Sequence, residues 1–143
     1  MYIKDAYLLG MGVAFMKYDY VFYEDQDGNS ETYDFIVNLT EGNKKEISLS
    51  KSIFKKLEKL KGYGTWMGMP DVRHIDSKSN NSLWEIRIKF SDGYLRIFIC
   101  QHPQKANVYV ILNYFIKKDE KTPLGEIKKA DKLMNLFIMR ECE

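Results

Sequence analysis

The sequence predicts an α+β fold, a small sheet of antiparallel strands with helices before and after it. Three observations carry that prediction. Residues 83–121 hold two apolar-alternating runs around Asp92-Gly93, the strongest short-range signal for a tight hairpin. Residues 44–61 carry Leu49, Ile53, Leu57 and Leu60 at gaps of four, four and three, the buried stripe of a helix. Thr122-Pro123 opens a last helical pattern with Ile127, Ala130, Met134 and Phe137 as its apolar stripe.

The hairpin matters most. With Asp92 and Gly93 as the two loop residues, Ser91 faces Tyr94, Lys89 faces Arg96 and Arg87 faces Phe98. Ile86 and Ile88 then oppose Ile99 and Ile97 on the other side. One face is apolar and the other cationic, whereas a three-residue loop puts Arg96 among the isoleucines. Like charges directly opposite on a sheet destabilise it by ~0.2–1 kcal/mol per pair. Arg87, Lys89 and Arg96 on one small face therefore call for a visiting anion, and Arg96 is expected to be a surface cation.

At 143 residues the chain is about one domain, long enough to bury a core without staples. Two cysteines, Cys100 and Cys142, make no disulfide framework and favour a reducing compartment. Cys100 alternates onto the face of Arg96, but with no supporting histidine spacing it reads as a small apolar filler. The net charge of +2 hides an asymmetry: residues 1–43 balance to −6 and residues 44–143 to +8. That division suits a basic surface facing a polyanion.

Taken in order, residues 1–15 read as an extension ahead of a single domain at 16–143. Their apolar run is too short to span a bilayer and lacks the flanks of a signal peptide, so Met16 is the expected start. Lys17 to Glu24 alternates as a first strand, and residues 25–29 form an acidic turn. That turn resembles part of a calcium loop but lacks the downstream bidentate glutamate at the needed spacing, so no metal is expected. Ser30 caps a short helix through Leu39 with Tyr33, Ile36 and Leu39 inward. The lysines around the 44–61 stripe read chiefly as a solvated helix face. Residues 62–70 form a loop, Arg73-His74-Ile75 a short strand, and residues 76–82 a polar turn. After the hairpin, residues 102–105 turn the chain into a last strand over 107–117. Thr122 is the expected cap of the final helix, with Pro123 at its first position.

Three segments carry a family likeness: MKYDYVFYEDQDG at the start, LWEIRIKF with DGYLRIF at the centre, and FIKKDEKTPLGEIKKA near the end. In this order, from Met16 to about Glu141, they resemble the phage-derived branch of the RelE/HigB toxin superfamily. The resemblance implies a RelE-like fold: a small twisted antiparallel sheet, two N-terminal helices packed on one face, and a C-terminal helix. It also implies the toxin of a type II toxin–antitoxin system, a cytoplasmic endoribonuclease that cuts mRNA on the ribosome without metal or other cofactor. In such enzymes the RNA's own 2′-hydroxyl attacks the adjacent phosphate, and fixed cations stabilise the charge that develops. The implied partners are an antitoxin encoded nearby, often carrying a helix-turn-helix domain, and the ribosome with its mRNA; no membrane is involved.

Carried over by position, the resemblance makes Arg96 the typical phosphate-binding arginine, and Arg87 and Lys89 basic strand positions beside it. Lys117 and Lys118 match the basic end of the last strand. Arg73, Lys121 and Trp66 are candidate RNA contacts. Glu85 stands where other branches have lysine, as either a general base or a neutraliser of Arg87; His74 and His102 are the other acid/base candidates. A tyrosine that some members place after the last strand is missing here. Two other classes therefore stand beside the nuclease: an inactive RelE-fold binding module or antitoxin-linked repressor component, and a relative that poisons DNA gyrase.

Overall fold

The computed structural model describes residues 17–76, 82–119 and 122–142. The expected extension 1–15, the start at Met16, most of the polar turn after Asp76, and Lys121 lie outside the described residues.

Among the described residues nine elements follow one another: β1 (Asp19–Phe22), α1 (Glu31–Thr40), α2 (Lys44–Tyr63), a 3-10 turn (Gly64–Met67), β2 (Val72–Ile75), β3 (Leu83–Phe90), β4 (Gly93–Gln101), β5 (Val108–Lys117) and α3 (Leu124–Glu141). The strands form one sheet in the order β1-β5-β4-β3-β2. Four are antiparallel, as expected. β1 differs: it lies parallel to β5, with Asp19 beside Val108 and Phe22 beside Ile111. Two helices and three strands intervene between the paired segments, a long crossover of the kind parallel pairing requires.

Alternation along the strands divides the core into two layers. Ile86, Ile88, Leu95, Ile97 and Ile99 pack on Ile36, Leu39, Leu49, Ile53, Leu57 and Leu60 of α1 and α2. Leu83, Phe98, Cys100, Val110, Leu112 and Phe115 pack instead on Ala130, Met134 and Phe137 of α3. The two N-terminal helices thus share one face and α3 covers part of the other. Leu112 and Phe115 both face α3 although three residues apart. A bulge explains it, since the β4–β5 register shifts between Ile97 and Ile99 and one extra residue on β5 resets the alternation.

Local chemistry sets the helix ends. The Ser30 hydroxyl accepts from the Tyr33 N–H, and Asn43 with Glu46 forms a complete capping box at α2. Tyr33 was expected inward but is half exposed. The buried stripe runs Thr32, Ile36, Leu39, and the Thr32 hydroxyl donates to the Leu112 carbonyl at 2.9 Å; Tyr33 sits at its rim, edge-on to Phe22. In the acidic turn the Asp25 carboxylate accepts from the backbone N–H groups of Asp27 and Asn29, closing the turn on itself.

The hairpin register also differs from expectation. Phe90 pairs with Gly93, so the two loop residues are Ser91 and Asp92, and Arg87 stands directly opposite Arg96. The shift is by two positions along the partner strand, so every side chain keeps its face. Gly93 decides it. Its φ is +151° and an added Cβ would lie 2.5 Å from the Lys117 carbonyl oxygen, so Gly93 belongs in the strand, where β5 crosses closest. Gly93→Ala should cost roughly 1–3 kcal/mol, read as a drop in midpoint on chemical denaturation. An unchanged midpoint would show that β4 and β5 can separate freely there.

Candidate functional site

On the α3 side of the sheet, the helix leaves one corner uncovered. Glu85, Arg87 and Lys89 of β3 and Tyr94 and Arg96 of β4 share that face through the ladder pairs Arg87–Arg96 and Lys89–Tyr94. Arg73 of β2 joins them opposite Glu85.

The resident anion is Glu85, fully buried. Its Oε1 lies 2.9 Å from an Arg87 nitrogen, 3.0 Å from Arg73 and 3.9 Å from Arg96 Nε. Its Oε2 accepts from the Thr122 hydroxyl at 2.9 Å, and that hydroxyl accepts in turn from Arg73 at 3.2 Å. The neutralising role is the one the geometry fits. Arg87 is two residues away on the same strand and face, and a carboxylate with no exposure cannot reach a substrate proton. Thr122 correspondingly does not cap α3: Pro123 occupies the cap position, without a side-chain hydrogen bond, and the Thr122 hydroxyl faces the carboxylate instead.

Arg96 is corrected as well. Expected at the surface, it is only 2 % exposed. Its guanidinium lies beneath the Tyr94 ring, 5.2 Å from the centroid, and hydrogen-bonds the Leu95 carbonyl. Arg96 stands directly opposite Arg87 on the ladder, and its Nε lies 3.9 Å from the Glu85 carboxylate.

Above this layer a groove of about 230 Å³ is lined by Lys56, Pro70, Arg87, Lys89, Tyr94 and Arg96. Its far wall comes from the segment before β2, held to β3 by the Arg87 N–H donating to the Asp71 carbonyl at 2.8 Å. The Asp71 carboxylate binds Lys56 and, at 3.0 Å, Lys59. Those contacts, the Lys56 hydrogen bond first, hold the Asp71 carboxyl below its ordinary value.

Other expected site residues fall elsewhere. Lys117 shares the face and pairs with Tyr94, but its amine is mostly buried and bonds Asp119 at 2.7 Å. Lys118 is exposed past the end of β5. Arg73 is committed to Glu85 and Thr122 rather than to the groove. Trp66 is 87 % exposed on the 3-10 turn that leads toward Pro70, outside the groove lining. His74 pairs with Trp84, against whose ring its own stands edge-on, so it faces the α1–α2 side. His102 lies past the far end of β4, where Nδ1 accepts from the backbone N–H groups of Gln104 and Lys105 and the ring abuts Phe137. Neither histidine meets the groove. Cys100 is buried, and burial pushes its thiol up to about 12, in keeping with its reading as a filler.

Tyr94 and Pro70 of the groove lining were not among the expected site residues. Tyr94 had a signal, since it alternates onto the face of Arg96 two residues away. Lys56, grouped with the other α2 lysines as chiefly a solvated face, turns out to line the groove. Among the described residues no group of three or more metal-binding side chains occurs, and no helix is long and apolar enough to cross a membrane.

Residues 40–135 match the family model described as Phage derived protein Gp49-like (DUF891). The match covers two thirds of the chain and every residue lining the groove, and the chain belongs to that family. A comparison with curated proteins gave no match.

One outcome follows from the buried cluster and one from the Asp71 clamp. Removing one member of a buried charge cluster costs about 3–5 kcal/mol, so Arg96→Ala should lower the melting temperature by roughly 10 °C, the reverse of what a surface cation would do. A shift under about 1 °C would show the guanidinium is not structural. For Asp71 the lowered value means its stabilisation is complete above the ordinary carboxylate pKa of about 3.9 and is lost as pH falls through the lower folded value. The melting-temperature gap between the unsubstituted chain and Asp71→Asn should stay constant from about pH 7 to pH 5 and shrink below about pH 4. A gap that does not change with pH would show the clamp is not ionic.

Proposed function

We propose that this chain is the toxin of a type II toxin–antitoxin system, of the RelE/HigB kind, and cuts mRNA on the ribosome as a metal-independent endoribonuclease. The observation that carries the reading is a groove whose lining holds four cations and an aromatic ring, with no carboxylate. Arg87, and Arg96 on its floor, are held by Glu85 before any substrate arrives, and such preorganised donors favour charge that appears only in the transition state. The substrate's 2′-oxygen attacks the neighbouring phosphorus and passes its proton to solvent water. The bond to the 5′-oxygen breaks and that oxygen takes a proton from water, leaving a 2′,3′-cyclic phosphate and a 5′-hydroxyl. Arg87 faces the nonbridging oxygens, where its planar fork suits two of them at once, and Arg96 adds positive charge from beneath. Lys89 supplies the exposed amine. The Tyr94 ring, with Lys89 and Arg96 near it, stacks on a base beside the scissile bond and stands in for the tyrosine missing after β5. Glu85 is a positioning residue. An antitoxin encoded nearby covers the cationic groove, and the site of action is the cytoplasm.

One observation favours a second reading, a toxin-fold module that binds RNA or antitoxin without cutting: the groove lining has neither a histidine nor a carboxylate to move protons. Brief induced expression followed by primer extension on cellular mRNA separates the two. The nuclease reading expects growth arrest with new 5′ ends inside translated codons. Lys89→Ala, at an exposed position whose loss should change stability by under ~0.5 kcal/mol, should reduce cutting on the order of 10²-fold. Tyr94→Phe should keep activity and Tyr94→Ala lose it. Folded protein that binds RNA without new ends would support the binding module, and a DNA-damage response without cuts would support gyrase poisoning.

A further inference from the structure

A second groove, of about 380 Å³, lies beside the first. It is bounded by Lys44, Lys45, Ser48 and Ser52 on α2 and by Lys89 and Ser91 at the end of β3, with Leu49 and Phe90 beneath. Lys89 belongs to both linings. The two grooves therefore form one path along the sheet edge, from the β3–β4 turn to Pro70. Taken together the linings hold Lys44, Lys45, Lys56, Arg87, Lys89 and Arg96, and no acidic side chain. On α2, Lys45, Ser48, Ser52 and Lys56 recur at gaps of three, four and four, so one helix stripe walls both grooves. The opposite corner of the sheet has the reverse character, a groove that includes Glu24 and Asp34.

The position of Lys44 and Lys45 is an independent sign. They are the first two residues of α2, at the end where the helix dipole disfavours cations by about 0.3–1 kcal/mol each. A complete capping box already satisfies that end locally, so these lysines work against the helix they begin. Local rules are broken in this way where a site requires it. Lys45 pairs with Asp92 at 3.6 Å, and both are well exposed, a pair that solvent screens strongly.

We propose that this second groove is a subsite for single-stranded RNA, holding the phosphates that flank the one in the groove under Tyr94. It rests on the nuclease reading only for the identity of the polyanion. Cations in a line along a groove track a phosphate backbone, and rings set among them give bases a place to stack. Tyr94 lies along the path and offers a base its ring, where a duplex would have its bases already stacked on one another.

Fluorescence anisotropy on an uncleavable 2′-O-methyl RNA strand of about eight nucleotides, at several salt concentrations, tests the subsite without requiring catalysis. The variants are Lys44→Gln/Lys45→Gln and, as a control of equal charge change on α3, Lys128→Gln/Lys132→Gln. The α2 pair should weaken binding about tenfold or more at low salt and lower the salt slope by ~0.7 for each phosphate that is no longer neutralised, while the α3 pair binds like the unsubstituted chain. Removing cations from the start of α2 relieves the dipole, so unfolding is not expected; circular dichroism checks it. Equal losses in both variants, no loss in either, tighter binding of a duplex of the same length, or no binding by the unsubstituted chain would each overturn the proposal. If the strand binds as expected while no mRNA is cut in cells, the nuclease reading falls and the subsite stands. Cutting in cells with unchanged binding by the α2 pair has the opposite meaning.

Discussion

The arrangement of this molecule turns on one buried carboxylate. Glu85 has no exposed surface, yet guanidinium groups from two other positions bond it directly and a third lies within 4 Å. Buried ion pairs seldom add net stability, because desolvation offsets most of the Coulomb attraction, and apolar residues of equal volume often serve the fold better. What a central anion does supply is order. It fixes where each guanidinium can go and lets Arg87 and Arg96 stand directly across a two-strand ladder where mutual repulsion would otherwise splay them. One negative charge among several positive ones still leaves the corner electropositive, so the cluster stays attractive to an outside anion.

Neighbouring elements close around this cluster. The segment before β2 is pinned by a backbone bond from Arg87 and by the two lysines on Asp71, which makes a rigid wall from a connection that has little secondary structure. Gly93 lets β5 pass close against the hairpin mouth, bringing Lys117 beside Tyr94. α3 stops short of this corner. Its apolar stripe covers Phe98, Cys100, Leu112 and Phe115 and leaves the charged end of the same strands open.

Much of this was legible in the residues. The hairpin, the α2 stripe and the α3 stripe are periodic signals, and periodicity reports a buried face reliably. The face of each hairpin residue survived even though the register did not, because an even shift preserves alternation. The register itself depended on a steric fact, the approach of the Lys117 carbonyl to Gly93, which no local pattern encodes. The parallel pairing of β1 was hidden for a similar reason: four alternating residues do not say which strand they will join, or in which direction. Alternation placed Arg87, Lys89 and Arg96 on one sheet face, as the strand ladder does, but could not tell the exposed amine from the buried guanidinium. Nor could it rank Glu85 as structural, since that follows from its depth and from Arg73 and Thr122, residues distant in the chain. The histidines qualify by their chemistry alone, and the strands carry both away from the groove.

The parallel strand has a consequence for biosynthesis. Asp19 pairs with Val108, so β1 waits through the synthesis of most of the chain before its neighbour exists. Contacts so distant in sequence are slow to form and close late. Meanwhile the β3–β4 hairpin, whose partners are adjacent in sequence, can pair as soon as it is made. During that interval Glu85 and its arginines are already side by side, while Thr122, the last partner of the carboxylate, has yet to be added. A nascent chain thus carries an incomplete charge cluster, whose hydrogen-bonded geometry is finished only once Thr122 has been added.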